Sequence, residues 1–179
     1  MMEFVYNDGG RRVSGRKGSA GDCVCRSIAI ASGMPYEVIY AALAQGCETQ
    51  RNTTGTRRMG RTARNGICTS RNWFKRFMVS LGLVWTPTMR IGSGCRVHLT
   101  AGELPGGALV VAVSKHYTAV INGVIHDTFD PQRNIAMFRQ FPGWQTAELK
   151  PGENRNNNGI WTVSRRCVYG YWELKGAPK

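Results

Sequence analysis

The sequence lacks the apolar segments that would direct it to or through a membrane. No run of apolar residues approaches the roughly 18 to 20 that a membrane-spanning helix needs. The opening residues, MMEFVYNDGGRR, include an early acid and no apolar stretch typical of a secretory signal, so we expect neither a signal peptide nor a membrane partner. The six cysteines are scattered without the framework of a small disulfide scaffold, which predicts reduced thiols and a cytoplasmic location.

Acidic residues are also scarce, with 11 Asp and Glu against 24 Lys and Arg, which leaves a net charge of +13. Such a balance predicts attraction to polyanions, which include nucleic acids, acidic proteins and anionic surfaces, and does not bear on the fold. The 179 residues with 42% hydrophobic content predict a single domain, 1–179, that is long enough to bury a core.

The first half of the chain has helical patterning. A short strand is predicted at 3–6, and an apolar helical stripe begins after Asp22, a suitable N-cap, and stops at Gly33. Pro35 then opens a second predicted helix, which Gly46 ends. Residues 47–70 show no periodicity and are rich in arginine, which predicts a mobile loop.

A third predicted helix runs from a Ser70 cap to Gly82, and the periodicity then becomes that of strands. Residues 132–160 are mostly polar and include KPGENRNNNG, which predicts an insertion with little order. Helices followed by antiparallel strands predict an α+β fold. The predicted strands are LVWTPTM, CRVHL, ALVVAVS, YTAVI, VIHDTF and WTVSRRCVYGYWEL.

The segment KHYTAVINGVIHDTFDP predicts a hairpin whose register can be derived. Two apolar runs flank Asn122 and Gly123, the strongest short signal for a two-residue type I′ turn. Counting outward from this turn places His116 opposite Phe129 and makes Asp127 its diagonal neighbour on the same face. The hairpin therefore predicts an imidazole–carboxylate pair.

The segment GSAGDCVCRSIAIASG places Cys23 at the first turn of the first predicted helix. Unpaired amides and the helix dipole at this position stabilise a thiolate. His116 would accept the thiol proton and later protonate the leaving group, while Asp127 would orient the imidazole. We therefore expect Cys23, His116 and Asp127 to form a catalytic triad, with Cys25 as the fallback nucleophile or a core residue.

These two segments together resemble the papain-like cysteine peptidase superfamily, in which a cysteine opens a helix and the histidine and acid lie on neighbouring strands. Cys23, Val24, Cys25, Arg26 and Ser27 are similar to the ovarian-tumour-type deubiquitinase pattern, as is HYTAV to that family's histidine segment. The hairpin also resembles the histidine strand of bacterial cell-wall endopeptidases and bacteriocin-processing peptidases.

The resemblance implies a papain-like fold, with N-terminal helices packed on a C-terminal antiparallel sheet, and hydrolysis of a peptide, isopeptide or related amide bond without a cofactor. It covers about a fifth of the chain. Ala20 stands where the deubiquitinase pattern has Asp, and no glutamine precedes Cys23 to match the oxyanion donor of papain. The resemblance therefore does not identify the subfamily or its substrate. The whole chain is similar to small proteins of phage and bacterial origin, which would imply the host cytoplasm if a phage encodes it.

Other residues allow different functions. The arginines of the 47–70 loop are candidates for binding a substrate or polyanion, and a basic nucleic-acid-binding protein with a vestigial triad is one alternative. A transglutaminase-like acyltransferase with the same triad is another. The arginines concerned are Arg51, Arg57, Arg58, Arg61 and Arg64.

A metal site is the weakest of these alternatives. Cys95 and His98 have the spacing of zinc ligands, and Cys68 or Cys167 could join them. One such pair is not enough for a structural zinc site, and residues three apart on a strand point to opposite faces, so we predict no bound metal.

Overall fold

The computed structural model describes residues 2–50, 62–132, 135–140, 154–156 and 159–176. The helices in these ranges are α1 (Cys23–Ser32), α2 (Tyr36–Thr49) and α3 (Asn72–Ser80). The strands are β1 (Glu3–Tyr6), β2 (Leu83–Pro87), β3 (Ala108–Val113), β4 (His116–Ile121), β5 (Val124–Asp127), β6 (Ile135–Gln140), β7 (Asn154–Asn156), β8 (Gly159–Ser164) and β9 (Val168–Leu174).

Six strands form a mixed sheet in the order β1-β5-β4-β3-β9-β2. All neighbours in it are antiparallel except β1 and β5, which pair in parallel from Glu3 opposite Val124 to Tyr6 opposite Asp127. The α+β class is therefore confirmed, but the expectation of a purely antiparallel sheet is wrong. The difference arises at the sheet edge, where β1, which precedes the helices in the chain, runs in the same direction as its neighbour β5.

A second, three-stranded sheet has the order β6-β8-β7. The polar insertion predicted at 132–160 therefore contains strands, and the single strand predicted at the end of the chain divides into β8 and β9, which belong to different sheets. Residues 141–153 of the insertion lie outside the described part of the chain.

Apolar side chains pack on both faces of the mixed sheet because neighbouring residues of a strand point in opposite directions. Val110 of β3 joins the cluster that the three helices bury, which includes Ile28, Leu43 and Phe74. Leu109, Val111 and Val113 of the same strand point to the other face. There they pack in a second cluster with Met2, Leu99, Val120, Ile125 and Val168. The helices therefore lie over one face of the sheet, and α1 is held mainly against β4 and β3.

The helix ends agree with the sequence in part. Gly33 ends α1 in the left-handed region at φ 69°, as predicted. Gly46, by contrast, does not end α2, which continues to Thr49. A Cβ built on Gly46 would overlap the Trp73 ring of α3, so this glycine allows the two helices to pack closely.

The predicted start of α3 is displaced, because Arg71 rather than Ser70 occupies the N-cap position. The predicted CRVHL strand is also wrong, since it contributes only an isolated bridge between His98 and Cys167. Cys95 is joined to Cys167 by a disulfide, so the expectation of six reduced cysteines is wrong for this pair.

Within the described ranges, each helix is too short or too polar to cross a membrane.

Candidate active site

Cys23 is the first residue of α1, as the sequence predicts. Asp22 occupies the N-cap position, but its side chain makes no cap hydrogen bond. The first-turn amides of a helix have no intrahelical acceptor, and without a side-chain cap here they can bind an oxyanion formed near Cys23.

The carboxylate of Asp22 is instead directed into the protein, where it is 1% exposed. Its oxygens form ion pairs with Arg11 Nε at 2.9 Å and Arg26 Nε at 3.0 Å. The hydroxyl of Tyr36 donates a hydrogen bond to the same carboxylate. This network ties residue 22 to the N-terminal segment, α1 and α2, and so fixes the backbone immediately before Cys23.

The β4–β5 hairpin has the predicted register. Asn122 and Gly123 both have positive φ, at 48° and 83°, as a type I′ turn requires, and Val120 pairs with Ile125. On this ribbon, His116 Nε2 and Asp127 Oδ2 lie 2.6 Å apart, and both residues are buried.

Phe129 completes the surroundings of the histidine. Its ring centroid lies 4.8 Å from that of the His116 imidazole, so the two rings are in contact, although β5 ends at Asp127 and the strand pairing of these two positions is not among those observed. Because Nε2 is bound to Asp127, Nδ1 is the ring nitrogen left for a thiol.

Cys23 and His116 shift each other's pKa values through a hydrogen bond and through their charges. Burial acts to raise the pKa of the Cys23 thiol, but the hydrogen bond and charge of His116, the backbone of Tyr117 and the charge of Arg26 together bring that pKa below its usual value. Burial acts to lower the pKa of His116, but its hydrogen bonds to Asp127 and Cys23 and their charges raise that pKa to about 9. Both shifts favour a thiolate–imidazolium pair at neutral pH.

Cys25 is unsuited to be the nucleophile. It is completely buried within the helical core, and burial together with the charge of Asp22 raises its pKa to about 12. Burial also raises the pKa of Cys47. Cys25 is therefore the core residue that the sequence allowed as an alternative.

A cleft of about 550 Å³ opens over Cys23 and His116. Gly21, Asn65 and Gly66 line one part of it, so the described end of the arginine-rich loop borders the thiol. Aromatic side chains line much of the rest, namely Trp85, Tyr117 and Tyr169. Cys23 therefore lies in the wall of a cleft rather than sealed in the core.

An aromatic pocket of about 310 Å³ adjoins this cleft, since Thr69, Trp85 and Tyr117 line both. Trp172 lines the pocket, whereas Tyr171 packs against the core cluster on the other face of the sheet. The sequence does not predict the positions of Trp85 and Tyr117 beside the thiol, because only the fold brings β2, β4 and β9 together here.

Four of the five arginines predicted to bind a substrate or polyanion, Arg51, Arg57, Arg58 and Arg61, lie outside the described residues. Arg64 is exposed, and its guanidinium donates a hydrogen bond to the carbonyl of Ser19 at 3.3 Å. Arg64 thus contacts the segment that precedes Cys23. Residues 47–49 of the predicted loop belong to α2.

The zinc alternative does not fit the structure. Cys95 is bound to Cys167, and His98 Nδ1 lies 3.0 Å from Glu103 Oε2. Across the described ranges, no three His, Cys, Asp or Glu residues are grouped so as to hold a metal ion.

Comparison of the chain with protein-family models, with curated proteins and with solved structures found no match.

Proposed function

We propose that this protein is a thiol hydrolase of papain-like type that cleaves a peptide, isopeptide or related amide bond. Cys23 is the nucleophile, His116 the general base and acid, and Asp127 the residue that orients the imidazole. The observation that carries the proposal is the 2.6 Å contact between His116 and Asp127 beside a helix-start thiol whose pKa is lowered.

The chemistry follows from this arrangement. The Cys23 thiolate attacks the carbonyl carbon of the scissile bond, and the N–H groups at the start of α1 stabilise the oxyanion. When the carbon–nitrogen bond breaks, the His116 imidazolium gives its proton to the departing amine and a thioester remains. Water then attacks the thioester while His116 takes a proton from it, which releases the carboxylic acid and restores the thiolate–imidazolium pair.

The architecture supports the same proposal. A helix that begins at the thiol packs on a sheet whose central strand β4 begins at the histidine, and the acid ends the neighbouring strand β5. This is the placement that a papain-like hydrolase would use. The parallel strand β1 at the sheet edge is compatible with it, because it pairs with β5 through the backbone and leaves Asp127 directed at His116.

The proposal is tested by the reactivity of Cys23. We expect iodoacetamide or an electrophilic peptide probe to modify Cys23 fastest, and His116→Ala to slow the modification by about 10²- to 10⁴-fold, the usual contribution of a general base. Cys68 is the matched internal control because it is also free and half-buried. Peptide mapping by mass spectrometry separates the two sites. Equal rates at Cys23 and Cys68, unchanged by His116→Ala, would contradict the proposal.

A second function is favoured by the net charge of +13. A nucleic-acid-binding protein with a vestigial triad would bind DNA or RNA at low salt and lose affinity steeply as salt rises. If such binding were found and Cys23 were unreactive, this alternative would replace the hydrolase.

An added amine acceptor distinguishes hydrolysis from acyl transfer, because only an acyltransferase would incorporate it into the product.

A further inference from the structure

A second groove, of about 700 Å³, is lined in part by the immediate sequence neighbours of residues that line the thiol cleft. Ala20 and Asp22 line this groove, whereas Gly21 and Cys23 line the cleft over the thiol. Phe129, whose ring packs against His116, also borders the groove. The Ala20–Cys23 backbone therefore borders both cavities, and Phe129 places the groove beside the proposed catalytic histidine.

The lining of this groove is strongly basic. Five cations, Arg11, Arg12, Arg16, Lys17 and Arg26, stand against two carboxylates, Asp8 and Asp22. Asp22 is almost completely buried and is paired with Arg11 and Arg26. Asp8 accepts hydrogen bonds from two backbone N–H groups, those of Gly10 and Arg12. The groove therefore presents an excess of positive charge to solvent.

Internal contacts hold the groove in shape. The Arg11 guanidinium donates to the carbonyls of Arg16 and Lys17, at 3.3 and 3.1 Å. Arg16 binds both carboxylate oxygens of Glu37 on α2, at 2.8 and 3.0 Å. Gly9 lies so close to α1 that an added Cβ would be 2.9 Å from the Arg26 carbonyl oxygen. These contacts reduce the ordering that a ligand would have to induce.

Two of the cations are left for a ligand. Arg12 and Lys17 are exposed, and within the described part of the chain neither side chain has an ion pair or hydrogen bond. They lie on the wall of a groove whose other cations, Arg11, Arg16 and Arg26, are held by Asp22 and Glu37. An anionic ligand could pair with both side chains without displacing an internal partner.

We propose that this basic groove, defined by Arg11, Arg12, Arg16, Lys17 and Arg26, binds an acidic stretch of the polypeptide substrate next to the bond cleaved at Cys23. The inference rests on the proposed hydrolase function. An acidic polypeptide is favoured over a nucleic acid because the Ala20–Cys23 backbone borders both cavities, so that residues next to a bond held over Cys23 are within reach of the groove. Carboxylates of the substrate would pair with Arg12 and Lys17.

The test measures binding separately from catalysis. Fluorescence anisotropy of labelled oligoglutamate is recorded with the Cys23→Ala protein, with oligoglutamine as the neutral control. We expect Arg12→Gln with Lys17→Gln to weaken oligoglutamate binding on the order of tenfold and to reduce its salt dependence. Arg90→Gln with Arg96→Gln is the matched control, because it removes two exposed cations that do not line the groove. This control should bind as the parent does.

Three results would overturn the inference. The first is equal weakening by both double variants, which would indicate attraction to net charge only. The second is tighter binding of an oligothymidylate of the same charge through Arg12 and Lys17, which would assign the groove to nucleic acid. The third is no binding of oligoglutamate by the Cys23→Ala protein when Cys23 of the parent protein is reactive, which would remove the groove as a subsite but leave the hydrolase intact. Unreactive Cys23 would instead overturn the hydrolase.

Discussion

The imidazole of His116 and the carboxylate of Asp127 meet at 2.6 Å across a hairpin, although they are 11 residues apart in the chain. The contact follows from the turn at Asn122 and Gly123, because a two-residue loop determines which residues of β4 and β5 lie side by side. Both groups are buried, so the pair is held in a medium where its electrostatic interaction is strong.

Replacing the acid of this pair tests whether it orients the imidazole. We expect Asp127→Asn to lower kcat on the order of 10²- to 10⁴-fold, because the amide no longer supports the imidazolium and can favour the wrong tautomer. Asp130→Asn is the control, since Asp130 is an exposed acid just beyond the same hairpin whose carboxylate binds only Gln132 in the described structure. Similar loss in both variants would argue against a specific role for Asp127.

The pH dependence of activity is expected to be bell-shaped. The acid limb reflects ionisation of Cys23, whose pKa lies below that of an ordinary thiol. The basic limb reflects His116, whose pKa is raised to about 9, because a rise in pH through this value removes the proton that the leaving amine needs. Measurement of kcat/KM against pH tests both limbs.

The pH profile of Asp127→Asn tests whether the basic limb belongs to His116. Asp127→Asn removes one of the hydrogen bonds that raise the pKa of His116, so its basic limb should move to lower pH. A basic limb that stays in place in this variant would mean that another group titrates there.

The parts of the fold that were predictable depend on local chemistry. The start of α1 at Cys23, its end at Gly33 and the hairpin register each follow from a few neighbouring residues. The continuation of α2 through Gly46 was not predictable, since it depends on the Trp73 ring of another helix. The same holds for β1, whose parallel partner β5 lies more than a hundred residues away in the chain.

The contacts of the candidate site were likewise predictable only where they depend on neighbouring residues. The pairing of His116 with Asp127 was derivable because a turn of known geometry lies between them. The network around Asp22 was not, because Arg11 and Tyr36 reach it from separate segments. A buried acid beside a helix start is read from sequence as a cap, and only the fold shows that its side chain points elsewhere.

Asp22→Asn tests this buried network. The change leaves Arg11 and Arg26 without their charge partner, and loss of one member of a buried ion pair commonly costs about 3–5 kcal/mol. We expect a fall of that size in the free energy of unfolding, measured in urea. Glu48→Gln, an exposed acid on α2, should change stability little. An Asp22→Asn protein as stable as the parent would show that the ion pairs contribute no net stability.

Gly46 tests the packing of α2 on α3. Alanine is the better helix former by about 1 kcal/mol, but its Cβ would overlap the Trp73 ring, and overpacking typically costs about 1–3 kcal/mol. We therefore expect Gly46→Ala to lower the melting temperature. Gln45→Ala, one residue earlier on the exposed side of the helix, is the control and should not lower it. A Gly46→Ala protein that melts higher would indicate that the two helices can separate at little cost.

The disulfide between Cys95 and Cys167 closes a loop across 72 positions of the chain. A cross-link of this kind restricts the unfolded chain and is typically worth about 2–4 kcal/mol. We expect Cys95→Ser with Cys167→Ser to lower the free energy of unfolding by that amount. Parent protein treated with reductant should match the variant, while Cys68→Ser, which removes a free thiol, should behave as the oxidised parent. Because Tyr169 lines the thiol cleft two residues beyond Cys167, loss of the bond should also raise KM more than it lowers kcat. Stability that is the same with and without reductant would mean that the bond does not form in the purified protein.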